Sequence, residues 1–337
     1  MGGIITLIGI ENRKIRGRVS TWVMILVMAV LIFALSGLLK FIDDNQEMLA
    51  AYSGQTVSAG ADWESTLRIE IESSRQQLTQ AEASGDAVSQ SRIDALKMTI
   101  AKDTYALEHH LDRDYFKSLW NRVVDLDVSS NPNVGGLVAL FVIIALSALV
   151  AGEYTEGTMK LMIPRPFSRG EILSAKLLSS LIYAFVLFVE SLVIGLLSLG
   201  LFFGFGGLGA TSLFWTGDTV IEIPAFLNAL MIYGLDFLQV FVYLSFALLL
   251  AVLSRSRALA TGLSIFVLVV GASLFQLLAL YTDWGRYIVF AVSNFSRFII
   301  AGSPYDGMTL PLALLVSAGY VAVFLFFSYL TFKKRDI

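Results

Sequence analysis

The sequence predicts an all-α membrane protein. Six transmembrane helices are expected, with an extracytoplasmic helical hairpin after the first and a short re-entrant or interfacial helix before the last. Three observations carry this. Hydrophobic residues make up 56% of the 337, mean hydropathy is +0.73, and several apolar runs exceed the ~18 residues that mark a bilayer span. Basic residues concentrate in the segments that join those runs on one side. One long charged insertion breaks the pattern and carries a helical period instead.

The apolar runs come in order. Residues 21–42 hold the first, centred on Thr21–Leu39. The next five fall in residues 132–337, at Val134–Ala151, Leu177–Phe203, Ile223–Leu253, Ala258–Tyr281 and Met308–Phe332. Each is long enough for a hydrocarbon core of ~30 Å, and the fourth run is long enough to tilt or break. Backbone polar groups find no water there, so the runs are read as helices. Ala34-Leu35-Ser36 loosely resembles a signal-peptide cleavage site, but the apolar run continues through Leu39, as a retained anchor does.

Orientation follows the basic residues. Arg13, Lys14, Arg16 and Arg18 precede the first run, and Lys160, Arg165, Arg169 and Lys176 follow the second. Arg255 and Arg257 follow the fourth, and Lys333, Lys334 and Arg335 close the chain. The short loops on the other side hold Arg286 and Arg297. Both termini and the elbow are therefore expected on the cytoplasmic side, with residues 43–131 on the other side of the membrane.

That insertion has 16 acidic and 8 basic residues. Leu67, Ile71, Ser74, Leu78 and Ala81 recur at 4-3 spacing, and Ile93, Leu96, Ile100, Leu107 and Leu111 resume a similar stripe after Ser84-Gly85-Asp86. The spacing predicts an antiparallel helical hairpin with a first arm of about 35 Å. Asn131-Pro132-Asn133 and Gly135-Gly136 are read as the return to the membrane. Near the other end, "RYIVFAVSNFSRFII" (286–300) is apolar but short, which suits a re-entrant or interfacial helix.

Several chemistries are excluded. The chain has no cysteine, so no disulfide scaffold or cysteine-ligated zinc exists. No phosphate loop, H-E-x-x-H or G-x-S-x-G occurs. No catalytic residue, resident metal or nucleic-acid partner is expected. His109, His110, Asp112 and Asp114 lie close in sequence and are the one weak metal or proton cluster; a solvated hairpin base is the plainer reading.

The polar elbow at residues 152–176 carries more information. Glu153 and Glu156 close the second run, Gly157-Thr158 permits a turn, and Met159, Leu161, Met162 and Ile163 form an apolar knob. Pro164 and Pro166 lock a bend. Ser168 with Glu171 is a capping box that starts the next helix. Such a shape can hand a push from a cytoplasmic partner to a membrane helix, or it can be an ordinary connector.

"EYTEGTMKLMIPRPFSRGEILSAKLL" (153–178) resembles the first cytoplasmic loop of ABC-2 type transporter permeases. That family shows an acidic residue, Gly-Thr, an apolar stretch and P-x-S-R-x-x-I-x-x-[SA]-K, here Pro166 through Lys176. "LIGIENRKIRGRVSTW" (7–22) is similar to the family's amphipathic interface helix, and "TFKKRDI" (331–337) to its cytoplasmic ending. The resemblance implies that the chain is the permease subunit of an exporter. A second permease, identical or homologous, and two cytoplasmic ATP-binding cassette subunits would be its partners, within membrane lipid. ATP and magnesium would be bound by those ATPase subunits, and no cofactor by this chain. The implied ATPase-coupling residues are Glu153, Glu156, Gly157, Thr158, Met159, Leu161, Arg165, Pro166 and Arg169. Glu11, Arg13, Lys14 and Arg16, in residues 1–20, would lie at the membrane surface against the ATPase. Lipid-like molecules and peptide antibiotics are the implied cargo.

Two carboxylates fall inside spans: Glu190 in the third and Asp236 in the fourth, with Gln239 one turn on. Charge at such depth is costly, so these residues are expected to line a substrate path or to lock helices through groups such as Ser191 or Tyr233. Gly234 suggests a break in the fourth helix, and "GLLSLGLFFGFGGLG" (195–209) either a close helix approach through small residues or, the favoured reading, a flexible exit from the third. Two other classes compete. One is an ion- or proton-coupled secondary transporter using Glu190 and Asp236, against which no internal repeat is visible. The other is a sensor or anchor whose hairpin binds an external peptide or protein.

Overall fold

The computed structural model describes residues 2–45, 63–84, 90–111, 117–129, 133–155 and 167–334. Helix α1 (Gly2–Arg16) precedes α2 (Val19–Asp44), and α3 (Trp63–Ala83), α4 (Gln90–Glu108) and α5 (Leu119–Ser129) form the insertion. Helices α6 (Val134–Thr155) and α7 (Arg169–Phe203) flank the elbow. A two-stranded ribbon, β1 (Thr211–Trp215) and β2 (Val220–Pro224), leads into α8 (Ala225–Ser254). Then come α9 (Arg257–Phe266), a π-turn (Val267–Gly271), α10 (Ala272–Tyr281), α11 (Val289–Val292), α12 (Ser296–Ile300) and α13 (Leu310–Lys334). Six helical stretches are long and apolar enough to cross a membrane: α2, α6, α7, α8, α9–α10 and α13. The fold is the expected six-span helical membrane protein with a helical hairpin.

Helix α6 is the axis. Its apolar window is 83% buried, and it packs on α8, α7 and α9. A helix apolar all round fits that central place. The outer helices instead bury one stripe and turn the rest outward. In α2, Met24, Met28, Ile32 and Ser36 recur every fourth residue and are buried, whereas Trp22, Leu26, Val30 and Phe33 are exposed. The stripe meets α7, where Ser36 and Ser198 hydroxyls hydrogen-bond at 2.7 Å. At 35 residues, α7 is about 52 Å long, well beyond a hydrocarbon core of ~30 Å. Its surplus turns pack against α5.

In the insertion, α3 and α4 pair as predicted, with Ile71, Ala81, Ile93 and Ala106 buried. Met98 and Ser91 on α4 are buried as well. The second arm has neighbours on more than one side: it also meets β1 and β2, and the Ser91 amide donates to Asp306 at 2.6 Å. Of the turn at Ser84-Gly85-Asp86, the last two residues lie outside the described set. Burial, with Glu70 nearby and Lys102 only partly offsetting, pushes the Asp103 carboxyl from 3.8 up to about 6. A carboxyl with a raised folded value binds its proton more tightly folded than unfolded. Its favourable contribution is complete below about pH 4 and is lost as pH rises through about 6. Asp103→Asn is therefore expected to raise the melting temperature at pH 7.5 and to leave it unchanged at pH 4, read by thermal unfolding at both values.

Two expectations need correction. The fourth helix does not break at Gly234: α8 runs unbroken, and Gly234 is exposed with nothing near its Cβ position. The irregularity sits in the fifth span, at the π-turn. Gly135-Gly136 belongs to the opening of α6, within the expected second span. The stretch 195–209 is helical through Phe203, and only its Gly-rich remainder is an exit loop, with φ +88° at Gly204 and +70° at Gly207. The ribbon was not foreseen. Its strands pair antiparallel from Thr211↔Pro224 to Trp215↔Val220. Thr216 and Thr219 close its turn through hydroxyl and backbone bonds.

The short helix before the last span is two single turns, α11 and α12, separated at Ser293–Phe295. Val289, Phe290, Ala291, Val292 and Phe295 are buried against the bundle. Interrupted backbone is tolerated at membrane depth where protein covers it or where it lines a cavity. Here both conditions are met.

Candidate functional site

Polar side chains gather at opposite ends of α6. At the elbow end, the Ser168 hydroxyl accepts from the Glu171 amide at 3.2 Å, and the Ser168 amide donates to the Glu171 carboxylate at 2.7 Å. The predicted capping box therefore starts α7. One turn and a half later stands Lys176, which is fully buried. Its Nζ meets Glu153 Oε2 at 2.7 Å and Glu11 Oε2 at 3.3 Å, and donates to the Leu149 carbonyl at 2.9 Å. Lys14 closes the ring, with Nζ at 2.9 Å from Glu11 Oε1 and 2.7 Å from Glu153 Oε1.

Two cations and two anions thus alternate around one square, with Glu11, Glu153 and Lys176 buried and Lys14 partly exposed. Each carboxylate spends one oxygen on each lysine. The square ties α1 to the last turns of α6 and the first turns of α7, the two helices that the elbow joins. Burial pulls the Lys14 ammonium down, but its bonds to Glu153 and Glu11 outweigh this and hold it above the usual lysine value. Further contacts fasten the same end. Arg18 donates to the Ala148 carbonyl at 3.3 Å and Arg169 to the Lys333 carbonyl at 3.3 Å. The Arg255 guanidinium lies over the Tyr154 ring.

This arrangement corrects the expected interface. Glu11 and Lys14 do not line an outward face of α1; with Leu7 and Ile15, 4 residues apart in register, Glu11 is on its buried side. Arg13 and Arg16 are exposed. Glu153 is also turned inward, since its partners are lysines of this chain. Arg169 remains at the surface. Glu156, Gly157, Thr158, Met159, Leu161, Arg165 and Pro166 lie outside the described residues.

At the opposite end, a cavity of about 560 Å³ opens between α6, α8, the π-turn, α10, α11 and α12. Gln239, Asn133, Gln276, Ser293, Asn294 and Arg297 give it a polar wall, and Leu268, Val269 and Phe290 an apolar one. The π-turn and the α11–α12 interruption both face it, which accounts for two irregular backbones in otherwise regular helices. Asp236 stands behind Asn133. Its Oδ1 accepts from Asn133 Nδ2 at 3.0 Å and from the Ser296 hydroxyl at 2.9 Å. The expected partners Ser191 and Tyr233 are not its hydrogen-bond donors. Instead its carboxyl meets that of Asp127, at the end of α5.

Asp236 and Gln239 both bond Asn133, and Asp127 and Ser296 stand beside them. Glu190 does not join them. It stands on α7 away from the cavity wall, with Oε2 buried and without a hydrogen-bond partner among the described residues. His110 adopts a left-handed backbone (φ 53°) with Nδ1 3.3 Å from Glu64, and His109 stacks on Tyr105. Asp112 and Asp114 lie outside the described residues. Among the described residues no cluster of three metal-ligating side chains forms.

Comparison with known proteins places this geometry among relatives. The model of a family described as "Protein of unknown function (DUF2705)" matches residues 92–337. "Uncharacterized protein YhcI" of Bacillus subtilis (strain 168) is 33% identical over 250 residues, covering 72% of this chain and 77% of that protein. "Uncharacterized membrane protein YdbK" of the same strain is 26% identical over 212 residues, covering 62% of this chain and 82% of that protein. The family match includes Asp127, Glu153, Lys176 and Asp236; Glu11 and Lys14 precede it.

Proposed function

The chain belongs to the DUF2705 family, and we propose that this multi-pass membrane protein is the permease subunit of an ATP-driven transporter of the ABC-2 type. One observation carries the reading. The segment that resembles a coupling elbow is held at both ends by one rigid device, the Glu11–Lys14–Glu153–Lys176 square. Glu153, one of the two acidic residues that can open the resembling motif, is in direct contact at 2.7 Å with the lysine that closes it. A push on the elbow would move α6, α7 and α1 as a unit, because none of the three can shift without separating buried charges.

On this reading, two ATP-binding cassette subunits dock on the cytoplasmic elbow and bind ATP and magnesium. A second permease, identical or homologous, covers part of the exposed apolar helix faces. The polar cavity beside Gln239 receives the cargo, a lipid-like molecule or peptide antibiotic, for export. Both termini lie in the cytoplasm and the hairpin outside the cell.

The test is purification of the tagged chain from its native host in mild detergent. An ATP-hydrolysing subunit is expected to accompany it and to be lost with Glu156→Lys, which reverses charge on the elbow outside the buried square. Absence of any such subunit across several mild detergents would overturn the reading. The second reading, proton-coupled transport, has one observation in its favour: the buried Asp127–Asp236 contact beside the cavity. It requires uptake or efflux that follows an imposed pH gradient in vesicles containing this chain alone.

A further inference from the structure

The cavity beside Gln239 has an unequal hydrogen-bond inventory. Among the described residues, Arg297 of α12 and Asp127 are the charged side chains on its wall. Asp127 is 1% exposed, and its Oδ1 accepts from the Val134 amide at 2.8 Å. Arg297 is exposed. Its backbone amide donates to Asn294 Oδ1 at 3.4 Å, but its guanidinium makes no hydrogen bond or ion pair among the described residues. Asn294 thus spends its oxygen and keeps the hydrogens of Nδ2. The Ser293 hydroxyl donates to Tyr243 Oη at 3.3 Å, so the phenol keeps its own hydrogen. Gln276 of α10 makes no side-chain hydrogen bond among the described residues. The unspent groups are therefore mostly donors: a guanidinium with its five N–H groups, two side-chain amides and a phenol.

The apolar wall runs the other way, toward lipid. Leu268, Val269 and Phe290 line it, and the first two lie in the π-turn. Val269 is 50% exposed, and Leu274 and Leu277 of the same span are 54% and 53% exposed. The apolar window of that span is 28% buried, so most of its surface meets hydrocarbon once the chain is in a bilayer. The cavity therefore joins a cationic, donor-rich corner to a surface in contact with lipid chains. This chemistry selects among occupants. A divalent metal ion needs a shell of acceptor oxygens, and the unspent groups are donors. An organic cation would meet the guanidinium as a like charge. A carboxylate or phosphate suits it, because a planar guanidinium grips either through two parallel hydrogen bonds.

We propose that this cavity binds an acidic amphiphile, with its anionic headgroup on Arg297 and its apolar chain along Leu268, Val269 and Phe290 toward the lipid. Asn294, Gln276 and Tyr243 donate to the remaining headgroup oxygens. A volume of about 560 Å³ lies within the range of small-molecule sites and takes the headgroup with the first part of a chain, the remainder lying in the bilayer. Resting on the reading of this cavity as the cargo site, the assignment narrows the cargo: acidic lipid-like molecules are accepted, and cationic peptides are refused. Arg297 is here a specificity-determining residue, since it contributes no bond to the fold through its guanidinium.

Native mass spectrometry of the full chain in a neutral detergent tests this. The probes are phosphatidylglycerol, phosphatidylcholine with the same acyl chains, and glycerol 3-phosphate. The native chain is expected to retain phosphatidylglycerol about tenfold more firmly than phosphatidylcholine, the scale of a charge-assisted hydrogen bond. Arg297→Gln should abolish that preference. Arg68→Gln, which removes an exposed cation of α3, should keep it. Arg297→Lys keeps the charge without the planar fork and should lose part of the preference; it decides the matter if Arg297→Gln does not fold. Equal retention of the two lipids by the native chain overturns the assignment, as does an unchanged preference in either Arg297 variant. Glycerol 3-phosphate displacing phosphatidylglycerol at equal concentration also overturns it, because the apolar wall would then hold nothing. The chain is tested without an ATPase, so failure here leaves the coupling reading standing, and failure to co-purify an ATPase leaves this site standing.

Discussion

Lys176→Met is expected to lower the stability of the folded chain by about 3–5 kcal/mol, the cost of breaking a buried ion pair from one side. The lysine is fully buried and contacts Glu11, Glu153 and the Leu149 carbonyl. Methionine fills a similar volume but leaves two buried carboxylates without the buried lysine that both contact. The same change at Lys14 should cost far less, because that side chain is 34% exposed and water can replace it near the glutamates. Charge removal all at once tells the two effects apart. A variant with Glu11→Gln, Glu153→Gln and Lys176→Met leaves no buried charge behind, and should recover most of what Lys176→Met loses. Thermal unfolding in one detergent, followed by tryptophan fluorescence, gives the comparison. A loss under about 1 kcal/mol for Lys176→Met would place it with solvated surface pairs and remove the rigid joint on which the coupling argument depends.

That square also marks where sequence reading reaches its limit. The spans were legible because a bilayer fixes both length and composition, and the α3 stripe because Leu67, Ile71, Ser74, Leu78 and Ala81 keep one face of a helix. Ser168 with Glu171 was legible because a capping box is local. Lys176 was not. Counted along the chain, it is one more basic residue of a loop, and its burial comes from Glu11, 165 positions earlier. Asp127 was hidden for a similar reason. It is one of 16 acidic residues in a solvated insertion, and only the packing of α5 between α7 and α8 removes it from water. Asn133 did carry a signal that was passed over. An Asn directly before an apolar helical run is a preferred helix cap, and its Oδ1 does accept the Gly136 amide. The ribbon was missed because 223–224 was absorbed into the apolar run of α8, although Thr-Gly-Asp-Thr at 216–219 is turn chemistry.

Gly135→Ala should be the other costly change, and it reports on the acid pair from outside it. A Cβ at Gly135 would lie 2.8 Å from Asp236 Cβ, 3.1 Å from Cγ and 3.2 Å from Cα. The last of these is backbone, so no rotamer change relieves the contact and α8 itself must give way. Overpacking of this kind costs about 1–3 kcal/mol, against a gain of under about 1 kcal/mol from replacing glycine within a helix. The net is a loss. Gly234→Ala, on α8 two residues before Asp236, meets nothing within 4 Å and should instead stabilise by about 0.5–1 kcal/mol. The two variants share their chemistry and neighbourhood and differ only in whether a backbone stands in the way. Their opposite signs in thermal unfolding would establish that α6 and α8 touch backbone to side chain at the acid pair.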